Sequence, residues 1–250
     1  MKGYQFSDSL SQNIVKGIVE GYTSYLAERK QKKAEMNISS AYAWVKGNHI
    51  EHAVSKVCGE GIDYTLSKAG YTWGYLRFIN KEHKVLFIIK NSSALEPIVR
   101  SAKKENVNEE NYLSQLAEIN KNLDFPEPIR QVENSEQLGF TLFEDGFFVD
   151  TKDACNELDK VKKEFNRFYV VTYAIDEAKM ISEIHLTLPS PALSHFYQVA
   201  DWTQLIDNLG IEYDEEALSA VRGDLEAESR VVTGDYGIII PSQKRTNQDE

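Results

Sequence analysis

Apolar residues recur at Leu10, Ile14, Ile18, Tyr22, Tyr25 and Leu26 behind a Ser7 or Ser9 cap. This i, i+3, i+4 spacing predicts one long amphipathic helix over roughly residues 8–35. Arg29, Lys30, Lys32 and Lys33 then fall in its last turns, where cations complement the unpaired carbonyls, and the run reads as a solvated helix end. Residues 39–46, with Tyr42 and Trp44, predict a short helix leading into a second one. That second helix takes Asn48 as N-cap, places Ile50, Val54, Val57 and Cys58 on one face, and stops at Gly59 and Gly61.

After Gly61 the period changes from 3.6 to 2, and three strands are expected at Tyr64–Ala69, Thr72–Ile79 and Lys84–Lys90. Their connections, at Gly70 and at Asn80–His83, are too short for parallel crossovers, so the three form an antiparallel meander. Packed against the first helix, this unit should bury Ile14, Ile18, Tyr22, Val54, Val57, Leu86 and Ile88. Helical spacing returns over Asn111–Leu123, and Pro126 and Pro128 end it.

The second half repeats the mixture. Asp145-Gly146, flanked by Leu142-Phe143 and Phe147-Phe148, predicts a hairpin within Gly139–Val149, and Asp153–Phe165 reads as an amphipathic helix. Phe168–Ile175 is strongly strand-like and is expected to pair with Met180–Leu188 through a short turn. Beyond Pro189-Ser190-Pro191, helical segments are expected over Ser194–Asn208 and Asp214–Glu228, then a strand at Gly237–Ile240 and a polar tail over 241–250. The fold class is therefore α+β. A single domain over 1–240 is the first choice, and subdomains 1–123 and 139–240, divided at the polar loop 124–138, are the alternative.

Composition narrows the function classes. With 42% hydrophobic and 27% charged residues over 250 positions, the chain is that of a folded protein able to build a core without staples. A net charge of −11 argues against general coating of nucleic acid or anionic membrane, which needs an excess of Lys and Arg. Two isolated cysteines, Cys58 and Cys155, make neither a disulfide framework nor a CxxC motif, and the longest apolar run is Val85–Ile89. The N-terminal segment lacks the apolar stretch of a signal peptide, so the expected setting is cytoplasmic, without membrane contact.

The succession WVKGNHIEHAVSKVC, GYTWGYLRFINKEHKVLFIIK, NYLSQLAEINKNLDF and FYVVTYAIDEAKMISEIHLTLP resembles an uncharacterised family of hypothetical proteins in bacterial and prophage genomes, over roughly residues 7–190. That resemblance implies a phage or mobile-element setting and the order of elements, and it transfers no functional residue.

Candidate chemistry is sparse. The order helix, three strands, helix, strand is shared with restriction-endonuclease-like folds, whose sites hold a divalent cation with an acidic residue on the second strand and an acid-x-Lys on the third. Glu51, Asp63 and Lys90 are the matching residues here, but the position two before Lys90 is Ile88, which leaves too few carboxylates for a hard cation. On the plainer reading Lys90 is the exposed end of a buried strand. His49 and His52 share a helix face and could both reach a metal, yet no third ligand lies nearby, and an exposed polar turn accounts for them. Phosphate-loop, dinucleotide-turn and nucleophile-elbow motifs are absent, and no cofactor is implied.

Two surfaces remain as binding candidates. Tyr71, Trp73 and Tyr75 project from one face of the second strand, with Arg77 and Lys68 nearby, a composition suited to interfaces as well as to core. Between Asp201 and Glu228 nine acidic residues, among them Asp214, Glu215 and Glu216, face a single cation, Arg222, which would attract a basic or nucleic-acid-binding protein. The expected function is thus a non-enzymatic macromolecular interaction protein of phage or mobile-element type. A restriction-endonuclease-like nucleic-acid-processing protein, active or degenerate, is the alternative.

Overall fold

The computed structural model describes residues 6–59, 61–69, 73–103, 112–125 and 160–222. Helix α1, Asp8–Glu35, has the predicted span, and its N-cap Ser7 accepts the Leu10 amide through Oγ at 3.3 Å. A 3₁₀ turn, Ser40–Val45, leads directly into α2, Lys46–Val57. Asn48 is therefore not the cap: α2 begins two residues earlier because the 3₁₀ turn hands its helical backbone straight on. Gly59 and Gly61, at φ +78° and +89°, turn the chain out of α2 in a region that suits glycine.

The two helices touch backbone to backbone. A Cβ on Gly17 would lie 2.6 Å from the Cα of Val54, and one on Gly21 would lie 2.6 Å from the Cα of Ile50. Only glycine permits this approach, and it completes the burial of Ile14, Ile18, Tyr22, Ile50 and Val54, all at 1% exposure or less. Val57 is half-buried, and Cys58 takes the inner place expected of it.

Six strands form one mixed sheet in the order β1-β2-β3-β4-β5-β6. β1 (Asp63–Ala69), β2 (Trp73–Asn80) and β3 (Val85–Asn91) are the expected antiparallel meander. β4 (Arg167–Ile175) runs parallel to β3, β5 (Ile181–Pro189) returns antiparallel to β4, and β6 (Phe196–Asp201) closes the far edge. Strands from both halves of the chain thus share one sheet.

The connection from β3 to β4 carries α3 (Glu96–Lys103) and α4 (Tyr112–Ala117), with a 3₁₀ turn at Glu118–Asn122. The helix expected over Asn111–Leu123 is thus split. α3 has no counterpart in the sequence expectations, because eight residues with Pro97 in the first turn give too little periodicity to register. After β6 come α5 (Thr203–Asp207) and α6 (Glu215–Arg222).

Residues 196–201 correct the helical reading of Ser194–Asn208. Phe196, Tyr197 and Val199 suit a pleated, half-buried surface, and the turn at 190–195 returns the chain alongside β5, so pairing with that strand decides the conformation. Of the helix Asp153–Phe165 only residues 160–165 are described; 160–164 are helical and Phe165 is not. The hairpin at Gly139–Val149, the strand at Gly237–Ile240 and the tail lie outside the described residues.

Strand alternation sorts the core into two layers. Phe78, Phe87, Tyr169, Val171 and Leu186 face α1, α2 and α6. Ile79, Leu86, Ile88, Phe168 and Val170 face the α4 side, against Leu113, Leu116 and Phe165. Fully buried Asn120 ties the second layer to the sheet: its Nδ2 donates to the carbonyls of Phe168 at 2.8 Å and Pro189 at 3.0 Å, and its Oδ1 accepts the Phe168 amide at 2.8 Å. The β4–β5 register ends at Val170 and Thr187, so this side chain supplies hydrogen bonds where Pro189 has no amide to give.

Candidate functional site

β2 and β3 pair only at Phe78–Phe87, Ile79–Leu86 and Asn80–Val85, and beyond those pairs the two strands part. Into this seam α2 projects Glu51, 8% exposed, whose Oε2 accepts the amide of Leu76 at 2.8 Å. Burial pushes its carboxyl up to about 7, against the opposing pull of Lys90 and of the Leu76 amide. Lys90, near the end of β3, approaches with its ammonium 5.4 Å from the Tyr75 ring centre and 5.7 Å from that of Tyr112. Burial works to lower the Lys90 pKa, but the Tyr112 hydroxyl, which accepts a hydrogen bond from it, and the charge of Glu51 outweigh that, and the net direction is up.

Lys90 is therefore no exposed strand end; it is held between aromatic rings, where a desolvated cation gains most from the ring quadrupole. Tyr173, on neighbouring β4, has its hydroxyl pKa raised by burial, then by the charge of Glu51 and by Tyr25. The structure thus brings Glu51 and Lys90 together and adds Tyr75, Tyr112 and Tyr173. The two added by α4 and β4 lie far from the others in sequence, and no local spacing announces them.

Asp63 does not join this group. It pairs in register with Ile79, at the opposite end of the β1–β2 hairpin from Tyr75, and its Oδ2 binds Lys81 Nζ at 2.8 Å. Among the described residues no three of His, Cys, Asp and Glu cluster as metal ligands. His49 turns to α1, with Nε2 2.8 Å from Glu28 Oε2 and Nδ1 3.2 Å from Ser24 Oγ, while His52 is exposed. Burial pushes the Cys58 thiol up to about 12, so it is inert core.

The binding candidates are redistributed as well. Tyr75 and Arg77, each 4% exposed, belong to the α4-side layer, with the Tyr75 ring 4.8 Å from that of Tyr112. Both are buried and present no open face. Tyr71 lies outside the described residues, as does the side chain of Trp73. On the acidic segment, Lys30 of α1 binds Asp214 Oδ2 at 2.7 Å and also Glu216, and Arg222 Nη2 binds Glu215 Oε2 at 3.2 Å. Part of that charge is neutralised within the chain. The run read as a solvated helix end is consequently a docking point, with Arg29 buried and donating to the Ser39 carbonyl at 2.8 Å.

What stays open on the hairpin is its outer strand. β1 is bonded to β2 through seven register pairs, Asp63–Ile79 to Ala69–Trp73, and no described strand pairs with its other side. Tyr64 and Leu66, on one face of it, are 54% and 73% exposed. The only charges in the strand, Asp63 and Lys68, stand near its two ends. Tyr64 and Leu66 pair in register with Phe78 and Leu76, and no spacing in the sequence singles them out. A separate cleft of about 570 Å³ beside the 3₁₀ turn at Glu118–Asn122 is lined by Lys121, Lys162 and Lys163, of which Lys162 is bound to Glu118 at 2.8 Å.

Residues 4–224 match a family of unknown function, DUF5986. The chain belongs to that family. No curated protein and no solved structure matches it. The uncharacterised family expected from the sequence is thus shown, though a phage origin is not. No helix among the described residues is long and apolar enough to cross a membrane.

Proposed function

We propose that this DUF5986 protein is a non-enzymatic interaction protein whose docking site is the free side of β1. The observation that carries the reading is an edge strand with an uncharged centre and two large apolar side chains in solvent. Proteins normally blunt such an edge with charged side chains, Pro or a bulge, because its unpaired amides and carbonyls template another strand; β1 carries its two charges, Asp63 and Lys68, only near its ends. Among the described residues no strand occupies this edge. An extended segment of a partner would take up the main-chain hydrogen bonds, and Tyr64 and Leu66 would supply apolar contact and selectivity. The mobile-element setting implied by the resemblance plays no part in this mechanism.

Purification of the chain from its native host, wild type against Leu66→Lys, tests the reading. A specific co-eluting protein, lost in the variant, is expected. The same co-eluting proteins in both would overturn it.

One observation favours the nucleic-acid-processing alternative, namely that Glu51 and Lys90 lie within electrostatic reach of one another at the seam between β2 and β3. One carboxylate already bonded to a backbone amide is a poor holder for a hard cation. Incubation with single- and double-stranded DNA and Mg²⁺ or Mn²⁺ separates the readings: the interaction reading expects no cleavage, and cleavage abolished by Lys90→Ala would establish the alternative.

A further inference from the structure

We infer that the segment which fills the free side of β1 is the β1 strand of a second copy of this chain, paired antiparallel with Leu66 on the two-fold axis. The inference rests on the open-edge reading above. A two-fold axis perpendicular to the sheet keeps each face on its own side, so residues facing one another across the new ladder must share parity. That leaves few registers for a seven-residue strand.

Centred on Leu66, the two leucines meet at the axis, and Tyr64 of each copy lies opposite Lys68 of the other. All three side chains lie on the face whose Tyr64 and Leu66 are bare. Each Lys68 then has an aromatic ring to cover, and Thr65 faces Ser67, both hydroxyl residues, on the other face. Centred on Thr65, the strand would set Lys68 against Ile62, with no ring for it to cover. Centred on Ser67, it would drive Lys68 against Leu66. Of these three registers, only the one centred on Leu66 gives Lys68 an aromatic partner.

The contact is small, so association should be weak and concentration-dependent. Its ionic-strength dependence is distinctive. Each copy carries a net charge of −11, so the two repel, and added salt should strengthen a pairing made of main-chain hydrogen bonds and apolar contact. Recruitment of a basic partner by the acidic segment would weaken instead.

Cysteine substitution reads the register directly. Residues opposite one another in an antiparallel ladder have Cα atoms about 4.5–5.5 Å apart, within the roughly 4.4–6.8 Å that a disulfide spans. Under mild oxidation Leu66→Cys should give a covalent dimer, while Thr65→Cys and Ser67→Cys should give one only when mixed. Wild type carries Cys58, which is buried, and Cys155, and serves as the background. Sedimentation of wild type and Leu66→Lys, from micromolar to near-millimolar chain, should show a dimer only in the former, favoured by salt.

A wild-type chain monomeric throughout, with no Leu66→Cys dimer, would overturn self-pairing. If Leu66→Lys still strips a host protein from the chain, the open-edge reading survives that result. Self-linking of Thr65→Cys alone would overturn the register.

Discussion

Glu51 Oε2 accepts the amide of Leu76 at 2.8 Å, so a helix side chain completes a hydrogen bond that the sheet itself leaves open between β2 and β3. A buried amide without a partner would cost about 1–3 kcal/mol, which gives this otherwise unfavourable carboxyl a structural reason to be there. The same device recurs at Asn120, which bridges the end of the β4–β5 ladder.

The raised carboxyl of Glu51 makes stability depend on pH. Its folded pKa of about 7 lies above the ordinary 4.5, so the folded state favours the protonated form. That contribution is complete below 4.5 and is lost as pH rises to about 7. Glu51→Gln keeps an acceptor for Leu76 and cannot ionise, so the variant should gain on wild type across this window, by on the order of 3 kcal/mol at pH 8. Urea unfolding at pH 4.5 and pH 8 measures it. A constant difference between the two proteins would show that Glu51 is not a desolvated acid.

Asn120→Ala removes three hydrogen bonds and leaves the Phe168 amide and the Phe168 and Pro189 carbonyls to find other partners. Destabilisation of about 2–5 kcal/mol is expected, from buried groups left unpaired plus a cavity. Chemical denaturation gives the value, and a change below about 0.5 kcal/mol, normal for an exposed site, would mean that the anchor is dispensable.

Gly21→Ala inserts a methyl group 2.6 Å from the Cα of Ile50, against backbone that cannot swing aside. Alanine is the better helix former by about 1 kcal/mol, so any loss of stability must come from separating α1 and α2. A net destabilisation of about 1–3 kcal/mol is expected, whereas Gly47→Ala, with open space around it, should be neutral or stabilising. Thermal melts of the two variants make the comparison.

Hydrogen bonding to Lys30 lowers the pKa of the Asp214 carboxyl below its ordinary value. In Lys30→Gln the Asp214 carboxyl should titrate closer to its ordinary value, observable by NMR. An unchanged titration would show that α1 and α6 do not meet through this pair.

Local pattern carried α1, the meander and the β4–β5 hairpin, since each has a long run of one period and a clear stop. It failed at β6, where a helical spacing and a β-forming composition coincide and only pairing with β5 decides, and at α3, too short to show a period. Of the seam, Glu51 and Lys90 are singled out by the order of elements shared with restriction-endonuclease-like folds, Lys90 at the end of an apolar run. Tyr112 and Tyr173 come from elements brought alongside only when β4 joins β3 in parallel, a long-range event that no local signal encodes.

Hydrogen–deuterium exchange along β1 tests the central claim most directly. In dilute chain, alternate amides of Asp63–Ala69 face β2 and should be protected, while those between them face solvent and should exchange rapidly. As concentration rises, or as the host partner is added, the outward amides should become protected while those of β3 and β4 stay unchanged. Outward amides that exchange equally fast under every condition, or that are already protected in dilute chain, would contradict the reading of β1 as an open docking edge.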